Sequence, residues 1–120
     1  MKLVIDRSKW LRGEGDMQSR LIRPSDGKMC CLGFYGLALG VSRDAMLDRS
    51  TPAQAMRKGG DQFPPWTEAV QGLDEVNVCA RLMSENDTVE LSAAERERRI
   101  TELFALRGVE VVFVDGPEAS

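Results

Sequence analysis

Along the chain the spacing of hydrophobic positions changes several times, and each change predicts an element. Residues 2–6, KLVID, alternate: Leu3 and Ile5 fall on one side, Lys2, Val4 and Asp6 on the other. That is the two-residue period of a strand. RGEGD then interrupts it. A second extended stretch, SRLIR, runs into PSDG, where Pro, Asp and Gly stand as a type I turn prefers them, so this part reads as a hairpin or as a strand entering a helix.

From Cys30 to Leu39 the apolar residues occupy every side of a helical projection, which predicts a buried and central segment ended by Gly40. Gly33 and Gly36 within it each cost a helix about 1 kcal/mol relative to alanine, so they imply a close neighbour that a side chain would obstruct. Two short helices are expected next. One follows Ser42; the other is capped by Ser50 or Thr51, with Pro52 at the first helical position, where its missing N–H is tolerated. KGGDQFPPW then reads as a loop. In LDEVNVCARLMS, residues 73–84, Leu73, Val76, Ala80 and Met83 lie near one stripe with Cys79 beside it, an amphipathic helix.

SAAERERRITELFALRG carries the clearest local signal. Ser92 and Glu95 form a capping box, Ile100, Leu103 and Phe104 form the buried stripe, and Gly108 supplies the left-handed residue that stops the helix. VEVVFVD follows, rich in β-branched residues and nearly continuous in hydrophobicity, as a strand inside a sheet would be, and it is expected to pair with residues 2–6. The expected fold class is therefore α+β: a small sheet built from the N-terminal strand or hairpin and the C-terminal strand, with several packed helices. Residues 1–120 read as a single globular domain, with no internal repeat or second-domain linker, and a chain this long buries roughly two-thirds of the surface its unfolded form exposes. If the last strand sits at a sheet edge, pairing with a second copy would give a homodimer.

Composition changes this picture chiefly by exclusion. With 42% hydrophobic and 29% charged residues the chain has the make-up of a folded globule. Its longest apolar stretch, Met29 to Val41, is too short to span a bilayer, and charges interrupt the N-terminus where a signal peptide needs an apolar run. The expected location is the cytoplasm of a bacterial host cell, with no membrane partner. Three cysteines, two of them adjacent, fit a reducing compartment better than a disulfide framework. The net charge of −3 disfavours nucleic-acid binding, whose affinity comes from neutralising phosphates. Within residues 1–28, however, Lys2, Arg7, Lys9, Arg12, Arg20, Arg23 and Lys28 outnumber the acids Asp6, Glu14, Asp16 and Asp26, so a basic N-terminal hairpin acting as a nucleic-acid-binding regulator is one alternative function.

The chain contains no histidine, which closes Cys-His and Ser-His catalysis within one protomer and removes zinc's commonest nitrogen ligand. Cys30 and Cys31 could act as thiolates if a helix N-terminus and Lys28 lowered a pKa. Their neighbours Met29, Leu32, Phe34 and Tyr35 are apolar, which raises a thiol pKa instead, so Cys30, Cys31 and Cys79 are read as structural thiols. No metal spacing joins them. GFYGLALG lacks both the Lys-Ser/Thr ending of a P-loop and the spacing of a dinucleotide fingerprint. The carboxylate pairs Asp44 with Asp48 and Glu95 with Glu97 are placed on helices, and Asn86, Asp87 and Glu90 in the loop before the last helix; each could ligate Mg²⁺, but solvation and capping explain them more simply. No catalytic residue, metal ligand or cofactor is therefore assigned. A small enzyme using a cysteine thiolate or a carboxylate and Mg²⁺ stays as the other alternative. Phe63 and Trp66 flank two prolines on a stiff loop, and together with Trp10 and Arg12 they are the candidate interaction residues, with packing into the protein's own core as the competing role.

GKMCCLGFYGLALG, together with MKLVIDRSKWLRGE and NDTVELSAAERERRITELFALRGVEVVFVD, resembles a group of small proteins of tailed phages and prophages. The likeness covers both ends and is strongest around Lys28 to Gly33 and from Asn86 to Val114. It implies the product of a phage accessory gene and carries over no catalytic residue. Taken with the missing catalytic groupings, it leads to the expectation of a non-enzymatic accessory protein that acts by protein–protein interaction, its partner a host or defence-system protein that it inhibits.

Overall fold

The computed structural model describes residues 1–13, 19–60, 62–68 and 78–115. The fold is α+β. Two five-residue strands, β1 (Lys2–Asp6) and β2 (Glu110–Val114), pair in parallel with Lys2 opposite Glu110 and Asp6 opposite Val114. Around them, among the described residues, pack five helices: α1 (Cys31–Leu39), α2 (Arg43–Met46), α3 (Pro52–Met56), α4 (Val78–Asp87) and α5 (Ala93–Ala105). The alternation in KLVID does what it predicts: Leu3 and Ile5 are buried, while Lys2 and Val4 face outward.

Two sequence expectations about the sheet are corrected. No hairpin forms among the described residues after β1; residues 10 and 29, and residues 22 and 47, instead make isolated parallel bridges. A hairpin must close antiparallel, whereas here Met29 N–H donates to the Lys9 carbonyl and Leu11 N–H to the Met29 carbonyl, running the segments the same way. Nor does β2 lie inside a sheet among the described residues, where the sheet has two strands. The apolar side chains of β2 are unevenly covered: Val111 is buried, and Val112, Phe113 and Val114 are half-buried.

The helix signals translate closely. The Ser42, Thr51 and Ser92 hydroxyls accept the N–H three residues on, at Ala45, Gln54 and Glu95, and so cap α2, α3 and α5. Helices α1 and α5 end alike. Gly40 and Gly108 take left-handed φ values of 90° and 73°, and Val41 and Val109 donate back five residues to Gly36 and Phe104, the bond pattern of a Schellman stop. α4 departs from expectation. It runs to Asp87, and its buried residues are Val78, Cys79, Leu82 and Asn86, while Ala80 is exposed and Met83 half-buried. Leu73 and Val76 lie outside the described residues.

α1 is the centre of the molecule, with residues 31–36 all buried. Its two glycines answer to neighbours. A Cβ on Gly33 would collide with the Leu21 carbonyl oxygen and lie 2.9 Å from the Met29 Cβ; one on Gly36 would strike the Met46 sulfur and lie 2.7 Å from the Phe63 ring. No helix among the described residues is long and apolar enough to cross a membrane.

Candidate functional site

The paired cysteines sit where a nucleophile could gain from a helix start. Cys30 is the N-cap of α1, and its carbonyl accepts from Gly33 and Phe34 N–H groups. Burial decides against that gain. It pushes the Cys30 thiol up to about 12, against the lesser lowering by the Gly33 and Leu32 N–H groups and with a smaller addition from the Asp87 charge. Cys31 is raised well above the ordinary thiol range, again first by burial. Cys79, whose Sγ lies 3.3 Å from the Thr67 carbonyl, is pushed up to about 11 by burial. Lys28, the cation that might have stabilised a thiolate, is exposed to solvent. All three thiols are free and buried, and neutral at physiological pH.

Beside them lies a group that sequence reasoning misplaced. Asn86 and Asp87 belong to the last turn of α4, not to a loop. The Asn86 side chain is 1% exposed and is fully used: its Oδ1 accepts from the Trp10 indole N–H at 2.8 Å and from the Cys31 N–H at 3.1 Å, and its amide nitrogen donates to the Leu11 carbonyl at 2.9 Å. The Asp87 carboxylate accepts from the Ser19 N–H and hydroxyl. One helix end thereby fastens the chain after β1, the start of α1 and Ser19 to one point. Among the described residues, Ser19, Cys30, Cys31, Asn86, Asp87 and their neighbours border about 10 Å³ of free space, room for roughly one water. This cluster is a polar rivet in a dry interior.

The aromatic candidates are corrected in part. Trp10 is 4% exposed, held through its indole N–H to Asn86 and packed 5.2 Å from the Phe113 ring, so it is core and not a surface anchor. Phe63 is equally buried, pressed under Gly36. The reasons differ: the missing Cβ of Gly36 leaves room for the Phe63 ring, whereas Asn86 supplies the acceptor that lets the Trp10 indole N–H be buried. Trp66 is half-buried, 5.5 Å from Tyr35, with the Arg107 guanidinium 5.7 Å over its ring. Arg12 stacks 4.6 Å over Trp10 and donates to the Arg7 and Trp10 carbonyls, closing the core there instead of reaching outward.

The carboxylates and the N-terminal cations largely find each other. Glu97 takes a two-pronged bond from Arg7 at 2.7 Å for each prong, and Arg7 also reaches Asp115. Arg98 and Arg99 hold Glu95 and lower its pKa. Arg23 pairs with Asp26, whose carboxyl falls to about 2 through that bond and the Lys28 N–H. Asp48 lies outside α2, at φ 59°, and pairs with Arg20 at 3.0 Å. The pairs Asp44 with Asp48 and Glu95 with Glu97 therefore do not act as units, and among the described residues no group of three acidic or sulfur side chains could hold a metal ion.

A different polar feature went unread in the sequence. Arg20, Asp48, Arg49, Ser50, Gln54, Arg57 and Lys58 line an open cleft of about 430 Å³ on the side of α3. The signal was present only as scattered cations, which become neighbours because Leu21 N–H donates to the Arg49 carbonyl and Asp48 N–H to the Ile22 carbonyl. The chain matches no protein-family model, no curated protein and no solved structure.

Proposed function

We propose that the protein is a non-enzymatic accessory protein of the phage and prophage type, which acts in the bacterial cytoplasm by occupying a surface of a host or defence-system protein. The observation that carries this reading is the state of the thiols. Among the described residues the three thiols are buried and held protonated by that burial, and the space that Cys30 and Cys31 line is about 10 Å³. The residues around them, Asn86 above all, spend their hydrogen bonds on joining elements. Such a core keeps a surface in one shape, which is what a binding protein requires.

Titration of the native protein with a thiol reagent at neutral pH tests the reading. All three cysteines should resist modification until denaturant is added. Rapid modification of Cys30 or Cys31 would instead favour the thiolate enzyme. In parallel, the tagged chain should carry one host protein in a fixed ratio through gel filtration, and the absence of any stoichiometric complex would count against the binding role.

A further inference from the structure

The geometry points to the cleft beside α3 as a binding site for a small molecule bearing a phosphoryl or pyrophosphoryl group. The site is separate from the host-protein reading and does not depend on it. Its first support is charge. Arg20, Arg49, Arg57 and Lys58 line the cleft against a single carboxylate, Asp48, in a protein whose net charge is −3. That concentration of positive charge runs opposite to the molecule as a whole and attracts an anion to this side of it.

The second support is the balance of donors and acceptors. Asp48 is already taken by the Arg20 Nε at 3.0 Å. The Ser50 oxygen accepts from the Arg20 Nη1 at 2.8 Å, which leaves its proton to donate. The Gln54 Oε1 accepts the Ser50 N–H at 2.8 Å, which leaves the amide NH₂. Among the described residues Arg49, Arg57 and Lys58 form no ion pair. The lining therefore offers donors of several kinds, with the Asp48 carboxylate, bonded to Arg20 through one oxygen, as its one acidic group, a balance that favours a phosphate.

The third support is a buried atom. The Nε of Arg49 is shielded from solvent and has no hydrogen-bond partner, the single such side-chain atom among the described residues. Buried donors are nearly always satisfied, so this unspent donor, on a residue that lines the cleft, gains an acceptor when the side chain turns toward a bound anion. A guanidinium with a free Nε edge matches two oxygens of one phosphoryl group. The volume, about 430 Å³, exceeds a lone phosphate and falls in the range of small-molecule sites.

Isothermal titration of the full chain with inorganic pyrophosphate at low salt tests the site. Saturable binding at one per chain is expected. Arg57 is exposed, so Arg57→Glu should keep the melting temperature while weakening binding roughly tenfold, the loss of about one charge-assisted hydrogen bond. Arg81→Glu changes the net charge equally at an exposed position on α4 and should leave affinity unchanged. Arg49→Lys keeps the charge, lacks the Nε edge and should weaken binding several-fold. Adenosine diphosphate binding more tightly than pyrophosphate would identify a nucleotide as the source of the group, and equal binding a free phosphate compound; both support the site. Absence of saturable binding would overturn it, as would equal weakening by Arg81→Glu. Single-stranded DNA binding at far lower concentration than pyrophosphate would overturn the small-molecule assignment.

Discussion

The surroundings of Cys30 and Cys31 and the cleft beside α3 meet at Ser50, yet they are opposites. The first holds the sulfur nucleophiles, a carboxylate and an amide in a space for roughly one water. The second holds cations and donors around a volume some tens of times larger. Residue chemistry alone ranks the cysteine region as the more reactive. Burial reverses the order, because a thiol without solvent or a cation keeps its proton, whereas Arg57 and Lys58, exposed on an open wall, stay within reach of a ligand. The density of reactive residue types is thus a poor guide to where ligands go. The accessibility of unspent hydrogen bonds is a better one.

The sharpest way to break this contrast is to remove the rivet of the dry side. Asn86→Ala would strand the Trp10 indole N–H, the Cys31 N–H and the Leu11 carbonyl, three buried groups at about 1–3 kcal/mol each, so a loss of about 4 kcal/mol is expected in urea unfolding. A loss below about 1 kcal/mol would show that Asn86 does not hold the interior together. Next in size is a pair of glycine substitutions. Gly33→Ala drives a methyl into the Leu21 carbonyl and should cost about 3 kcal/mol. Gly59→Ala, near the cleft, meets nothing within 4 Å and carries only the strain of its φ of 98°, so it should cost about 1 kcal/mol. Similar costs at the two positions would mean that the interior yields as readily as the surface.

The remaining effect is a slope. The Cys30 pKa rises on folding from the ordinary 9.0 to about 12, so its contribution to stability is complete below about pH 9 and is lost as pH climbs toward 12. Over that interval the unfolded chain has released a proton that the native chain still holds. Cys30→Ala should therefore flatten the alkaline fall in unfolding free energy by up to about 1.4 kcal/mol per pH unit. An unchanged slope would mean that the thiol ionises alike in both states, and the dry interior would lose its main electrostatic evidence.

Much of the fold can be read locally because its signals are local. Ser92 meets Glu95 within one turn, Pro52 and Gly40 act on their own backbone, and the alternation of Leu3 and Ile5 needs only five residues. The candidate sites are less legible, since each is made by residues far apart in the chain. Asn86 looks like a loop former until Trp10, 76 positions away, is placed against it. Arg20, Arg49, Arg57 and Lys58 each pass for a solvated surface charge, and only the parallel bridge between Ile22 and Leu47 brings their segments together. Of the cations within residues 1–28, Arg7 and Arg23 are paired in space with Glu97 and Asp26, while Arg20 lines the cleft.

The parallel register of β1 and β2 also sets a timetable for synthesis. Lys2 waits for Glu110, so the first strand leaves the ribosome roughly a hundred residues before its partner exists. During that interval Leu3 and Ile5 must rest on α1 or stay wet, and closing so long a loop is entropically the last step to become worthwhile. Nascent chains stalled short of residue 110 should accordingly be the form most exposed to proteases and chaperones, with the N-terminal strand as the handle by which they are seized.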